Sequence, residues 1–161
     1  NEAQAQWVLD GEGVATRKWD GTACMVLNGE LYKRYDCKRG KTPPEGAIPC
    51  QEPDLITGHW PHWVKCDRNN PADKYHWEAW GDDKALDDGT YELCGPKING
   101  GKEKFSQHWL VPHGYHSYPT LTRTFESIRD FLEKTEIEGI VFHHPDGRMA
   151  KIRRSDFGFK W

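Results

Sequence analysis

A chain of 161 residues with a formal net charge of −3 is sized for one domain around a continuous core, and it excludes a protein that coats nucleic acid through bulk positive charge. Hydrophobic residues make up 36% and charged residues 29%, while eight Trp, six Tyr and six Phe supply large surfaces for burial or stacking, so the chain is expected to fold despite its polarity. No apolar run approaches the roughly 20 residues of a membrane span and the N-terminus lacks a basic-then-apolar leader, so a soluble chain with no membrane contact is expected; it is also expected to be a monomer and, from its cysteine usage, intracellular and cytoplasmic.

Strand signals dominate in chain order. Thr22 to Leu27 and Glu30 to Asp36 flank Asn28-Gly29, a pair that supplies the positive φ angles of a two-residue hairpin turn. Lys18 then lies at the mouth of that hairpin. From Gly40 to Pro61 the prolines at 43, 44, 49, 53 and 61 break helix and strand alike and predict a long irregular loop. Asp88-Gly89 marks a turn into a strand over Thr90 to Cys94, and a short apolar strand follows around Trp109 to Val111. Phe125, Ile128, Phe131 and Leu132 recur at spacings of three and four, which predicts a helix from about Thr124 to Lys134. Glu138 to His144 and Arg148 to Arg154 form a second hairpin around Asp146-Gly147.

That last hairpin carries a parity argument, because opposed residues of an antiparallel pair share a face. A two-residue turn at Asp146-Gly147 sets Phe142 against Lys151 and Ile140 against Arg153, with Glu138, Lys151 and Arg153 on one face. A three-residue turn shifts the register by one and sends Glu138 to the opposite side from the cations.

The five cysteines, Cys24, Cys37, Cys50, Cys66 and Cys94, are odd in number and lack a CxxC pair, so reduced thiols are expected. His59, His62 and Cys66 have a spacing compatible with zinc, but no second well-spaced pair completes four ligands.

Four ordered segments carry the chemistry. Arg17-Lys18-Trp19-Asp20-Gly21 offers a lysine nucleophile; Tyr91-Glu92-Leu93-Cys94-Gly95 and Glu138-Gly139-Ile140-Val141-Phe142 each offer a carboxylate; Lys151-Ile152-Arg153-Arg154 offers cations for phosphate. Any one alone has an ordinary reading as a charged turn, a solvated strand residue or a polar edge that discourages sheet aggregation. Their joint order overturns those readings. Lys18-Trp19-Asp20-Gly21 resembles the KxDG nucleophile motif of covalent nucleotidyltransferases, the ATP-dependent ligases and mRNA capping enzymes. Over most of its length the chain is similar to small 5′-3′ RNA ligases, through Ala15-Thr16-Arg17-Lys18-Trp19-Asp20-Gly21-Thr22, Tyr91 to Lys97, Leu110-Val111-Pro112-His113-Gly114 and Glu138 to Phe142.

The resemblance implies an α+β fold, two antiparallel sheets forming a nucleotide-binding cleft with peripheral helices, in an ATP-grasp-like nucleotidyltransferase core. It spans residues 1–161 as one adenylation domain with no separate oligonucleotide-binding fold, which also argues against DNA ligation. Lys18 would attack the α-phosphate of ATP and become lysyl-AMP, AMP would pass to an RNA 5′-phosphate, and a 3′-hydroxyl would seal the strand. Because a free lysine has a pKa of about 10.4, the nearby cations and metal must favour the neutral amine. Asp20 and Gly21 complete the nucleotide-binding motif, Glu92 matches the ribose-binding carboxylate, and Glu138 matches the one that helps bind Mg2+ or Mn2+ through water. Lys151 would contact the α-phosphate, and Arg153 stands where the family more often has a second lysine. Arg39, or alternatively Arg34, would hold a phosphate or ribose, while His108 or Trp109 would stack on adenine. Arg17 occupies a position where these ligases often carry a base-reading polar or acidic side chain. The competing functions are a GTP-dependent capping guanylyltransferase and a noncatalytic RNA-binding module.

Overall fold

The computed structural model describes residues 5–81 and 85–161. It is an α+β structure with two antiparallel sheets and few helices, and the chain divides into two compact units, residues 1–20 with 114–161 and residues 21–113.

The first unit holds a three-stranded sheet in the order β1-β8-β9, formed by β1 (Val14–Lys18), β8 (Gly139–His143) and β9 (Met149–Arg153). Strand β1 joins β8 across most of the chain, and the Thr16 hydroxyl reinforces the pairing by donating to the Val141 carbonyl at 2.8 Å. The outer edge of β1 is covered by residues 116–118, through Arg17 N to His116 O and Tyr118 N to Ala15 O, both at 2.8 Å. Covering an edge in this way removes a template for aggregation. Helix α1 (Gln6–Leu9) and helix α3 (Phe125–Lys134) pack Trp7, Val8, Ile128 and Leu132 against Ala15, Ile140 and Phe142. Of the four apolar residues at helical spacing, Ile128 and Leu132 are buried and Phe131 is half-buried, whereas Phe125, in the first turn, is 56% exposed; Thr124 caps the helix by accepting from Ser127 N at 3.1 Å.

The second unit holds a six-stranded sheet in the order β4-β5-β3-β2-β6-β7. Its strands are β2 (Thr22–Leu27), β3 (Glu30–Cys37), β4 (Ile48–Pro49), β5 (Trp60–Lys65), β6 (Gly89–Cys94) and β7 (Trp109–Pro112). The turn between β2 and β3 has Asn28 at φ 52° and Gly29 at φ 76°, both left-handed as a two-residue hairpin demands. The proline-rich stretch is less irregular than expected, since β4 lies within it and β5 begins at its last two residues. Helix α2 (Lys74–Trp80) sets Ala79 into a core of Cys24, Val26, Leu31, Tyr91, Leu93 and Leu110, with Trp77 and Trp80 packed alongside. All five cysteines are free, and four of them are buried.

Beneath this sheet Asp73 is only 1% exposed, paired with the Lys33 ammonium and accepting from Asp67 N at 2.8 Å. Removing the cation leaves a buried carboxylate with one backbone donor. Lys33→Met should therefore destabilise the protein by about 3 kcal/mol, measured by urea unfolding, whereas a midpoint equal to wild type would make the pair energetically silent.

Candidate active site

Within the first unit Lys18, Gly139 and Arg153 stand opposite one another across β1, β8 and β9. Opposed residues share a face, so two cations flank a central position that has no side chain. The carboxylate of Glu138 fills that space: its Oε2 accepts from Lys18 Nζ at 3.0 Å, and its Oε1 lies 3.8 Å from Arg153 Nε. The Lys18 and Glu138 side chains are each 16% exposed.

This geometry corrects the expected register. Val141 pairs with Lys151 and Ile140 with Ile152, one position away from the tight-turn reading, because Pro145, Asp146 and Gly147 make a three-residue loop closed by His144 N to Arg148 O at 2.9 Å. Strict alternation would then turn Glu138 away from the cations. It escapes because it lies in a bend just before β8, where the backbone no longer alternates. Lys151 and Arg153 alternate with the half-buried Ala150 and Ile152 and project from the opposite face of β9. Lys151 also borders an apolar cavity of about 410 Å³ lined by Val8, Phe125, Ile128 and Phe142.

The carboxyl of Glu138 is held above its ordinary value, first by burial and then by the negative charge of Asp20, with Lys18 and Arg153 pulling the other way. A raised carboxyl stabilises the fold fully below its ordinary value of 4.5 and loses that contribution as pH rises through the raised folded value. The unfolding free energy of wild type relative to Glu138→Gln should thus fall as pH is taken from about 4 to about 8; a difference that stays level would contradict the burial.

Asp20 accepts a hydrogen bond from the indole Nε1 of Trp161 at 2.7 Å, a partner for which the sequence carries no signal. The guanidinium of Arg17 stacks over the Trp19 ring at 3.9 Å. Arg154 ties the strand end down by donating to the carbonyls of Leu132 and Thr135.

In the second unit Glu92 lies on β6 opposite Ala23 of β2 and Val111 of β7, with its side chain 14% exposed. Gly21 passes so close that a Cβ there would meet the Leu93 carbonyl oxygen at 2.1 Å and Glu92 Cγ at 2.9 Å. The glycine of the KWDG motif is thereby explained by close approach rather than by turn geometry. His113, following β7, reaches Glu92 Oε1 with Nε2 at 2.9 Å.

Three residues expected to contact the nucleotide, Arg39, its alternative Arg34, and His108, have partners of their own in this unit. Arg39 donates from Nη2 to Ile56 O at 2.8 Å and packs against Gly58, tying down the loop before β5, while Arg34 pairs with Asp36 at 3.4 Å. His108 is buried, stacked on Tyr75 at 4.4 Å, with Nδ1 on Glu78 at 2.9 Å and Nε2 accepting from Lys97 N at 3.2 Å. With the His108 ring buried against Tyr75, Trp109, 39% exposed, is the more accessible of the pair. His62 is buried with Nδ1 donating to Trp60 O at 2.7 Å, and no group of three or more His, Cys, Asp or Glu able to hold a metal occurs among the described residues.

Comparison with known proteins places the chain in a lineage. A family model described as RNA ligase 1 matches residues 81–161. The chain is 28% identical to RNA ligase 1 of Rattus norvegicus over a 243-residue alignment covering 99% of this chain and 73% of that protein. It is 31% identical to RNA ligase 1 of Danio rerio over 141 residues, 65% of this chain and 42% of that protein, and 29% identical to that of Pongo abelii over 164 residues, 75% and 50%. Matched over half its length by the family model and over nearly all of it by a relative, the chain belongs to the RNA ligase 1 family.

Proposed function

We propose that this chain is an ATP-dependent RNA ligase with a nucleotidyltransferase fold like that of ligases and capping enzymes, forming a lysyl-AMP intermediate at Lys18. The observation that carries the reading is the row Lys18, Gly139 and Arg153 with the Glu138 carboxylate between the cations. Lys18 Nζ bonds to the α-phosphorus of ATP as the bond to pyrophosphate breaks. Attack requires the neutral amine, and Glu138 would take the proton, a role supported by its Oε2 touching that amine at 3.0 Å and by the burial that raises its basicity. Arg153, with Lys151 two residues before it on the same strand face, offsets charge on the phosphate in flight. An oxygen of an RNA 5′-phosphate next attacks the adenylyl phosphorus and returns the amine of Lys18. The 3′-hydroxyl of the second RNA end then attacks the activated 5′-phosphate and AMP leaves.

Glu138 and Asp20 offer hard oxygen donors whose charges already act on each other, a donor set suited to Mg2+ or Mn2+. When bound, such an ion neutralises negative charge on the triphosphate. Glu92 would hold the ribose hydroxyls and Trp109 would stack on the base, while Asp20 and Gly21 shape the approach to the nucleotide. The substrate would be RNA with a 5′-phosphate and a 3′-hydroxyl.

Intact-mass spectrometry after incubation with magnesium and either ATP or GTP tests the reading. We expect an AMP adduct from ATP and none from GTP. A GMP adduct alone would make the chain a capping guanylyltransferase, and absence of any adduct would remove the covalent mechanism.

A further inference from the structure

His113 is within reach of both Thr90 and Glu92, two residues that alternate onto one face of β6. Its backbone is fixed by His113 N to Thr90 O at 3.1 Å, directly after β7. From there Nδ1 lies 2.8 Å from Thr90 Oγ1 and Nε2 lies 2.9 Å from Glu92 Oε1. An ionised carboxylate has no proton to give, so Nε2 is the donor to Glu92. In the neutral ring Nδ1 is then bare, and the Thr90 hydroxyl donates to it. The chain of donors runs in one direction from Thr90 through His113 to Oε1. This contact engages Oε1, one of the two carboxylate oxygens.

We infer that His113 is a positioning residue that locks the Glu92 carboxylate so that Oε2 is presented to a ribose hydroxyl of the nucleotide. This rests on the ribose-binding role proposed for Glu92. A glutamate side chain has several rotatable bonds, and ordering them on binding weakens affinity unless a neighbour has ordered them beforehand. The imidazole does so by a hydrogen bond to a charged group, the kind whose loss changes affinity by about tenfold or more.

The test is the rate of self-adenylylation against nucleotide concentration, with ATP, 2′-deoxy-ATP and 3′-deoxy-ATP, for wild type, His113→Ala, His113→Gln and Glu92→Ala. His113→Ala should raise KM for ATP about tenfold with kcat changed less than about twofold. The deoxy analogue that lacks the recognised hydroxyl should show little further loss. His113→Gln, whose amide nitrogen reaches the place of Nε2, should recover most of the affinity. A second readout needs no nucleotide: nitrogen NMR of the histidine rings should find neutral His113 protonated at Nε2 and bare at Nδ1. A wild-type KM in His113→Ala, an equal increase for ATP and both deoxy analogues, or protonation at Nδ1 would overturn the positioning role while leaving the ligase reading intact. A wild-type KM in Glu92→Ala, or no adduct in the wild type, would overturn the ribose reading beneath it and the inference together.

Discussion

Lys18→Ala should abolish the AMP adduct acquired from ATP, with a loss of at least about 10⁴-fold, because under the proposed mechanism its amine is the attacking nucleophile. Lys18→Arg is expected to fail equally, and it is the more informative variant. A guanidinium keeps the positive charge and can still pair with the Glu138 carboxylate, which Lys18 meets at 3.0 Å, but it does not give up a proton to become a nucleophile. The pair of variants thus separates the charge of residue 18 from its reactivity. Thermal unfolding of both proteins should remain cooperative, since the fold of this unit rests on Trp7, Ile128, Leu132, Ile140 and Phe142 rather than on the ion pair. Adduct formation in Lys18→Ala at the wild-type rate would end the assignment of the nucleophile.

Gly139→Ala should be the most damaging single methyl group in the first unit. A Cβ at this position would sit 2.1 Å from the Ile152 carbonyl oxygen and 2.9 Å from Arg153 Cα, both backbone atoms that cannot swing aside. Relief requires β8 and β9 to part just where Gly139 pairs with Arg153 and with Lys18. Overpacking of this kind costs about 1–3 kcal/mol, and we expect the upper end of that range together with loss of adenylylation. The measurements are the urea midpoint and the AMP adduct by mass. A variant with wild-type stability and a wild-type rate would mean that the strands accommodate the methyl group and that the spacing of the row is not critical.

How much of this was legible in advance depended on the range of the interactions. The hairpin at Asn28-Gly29 was readable because two adjacent residues supply the left-handed φ angles it needs. Helix α3 was readable because Ile128 and Leu132 repeat with the helical period and Thr124 caps the start. Strand β5 was obscured by Pro61 and by the lack of simple alternation in Trp60-Pro61-His62-Trp63; its pairing with β3 holds it in the sheet. Helix α2, only seven residues long, left too short a pattern to separate from its surroundings.

The candidate site divides in the same way. Lys18, Glu92, Glu138, Lys151 and Arg153 could be named from ordered motifs, since each motif is a local string. Their contacts could not. The tight-turn register was one residue out because a three-residue loop and a two-residue loop look alike in Pro145-Asp146-Gly147, and only the closing bond from His144 to Arg148 distinguishes them. His113 lay within a segment already singled out, yet its tie to Glu92 depends on the pairing of β6 with β7. The bond from Trp161 to Asp20 spans nearly the whole chain and left no local trace.

The amino-acid order by itself determined the inventory: a lysine in KWDG, two carboxylates and a run of cations, set among turns and a helix whose geometry is decided by neighbours a few residues apart. Tertiary structure alone decided which of them touch. Strand register and the bend at Glu138 are fixed by hydrogen bonds and packing between distant segments, and a one-residue shift moves a side chain to the other face of a sheet without changing a single letter of the sequence.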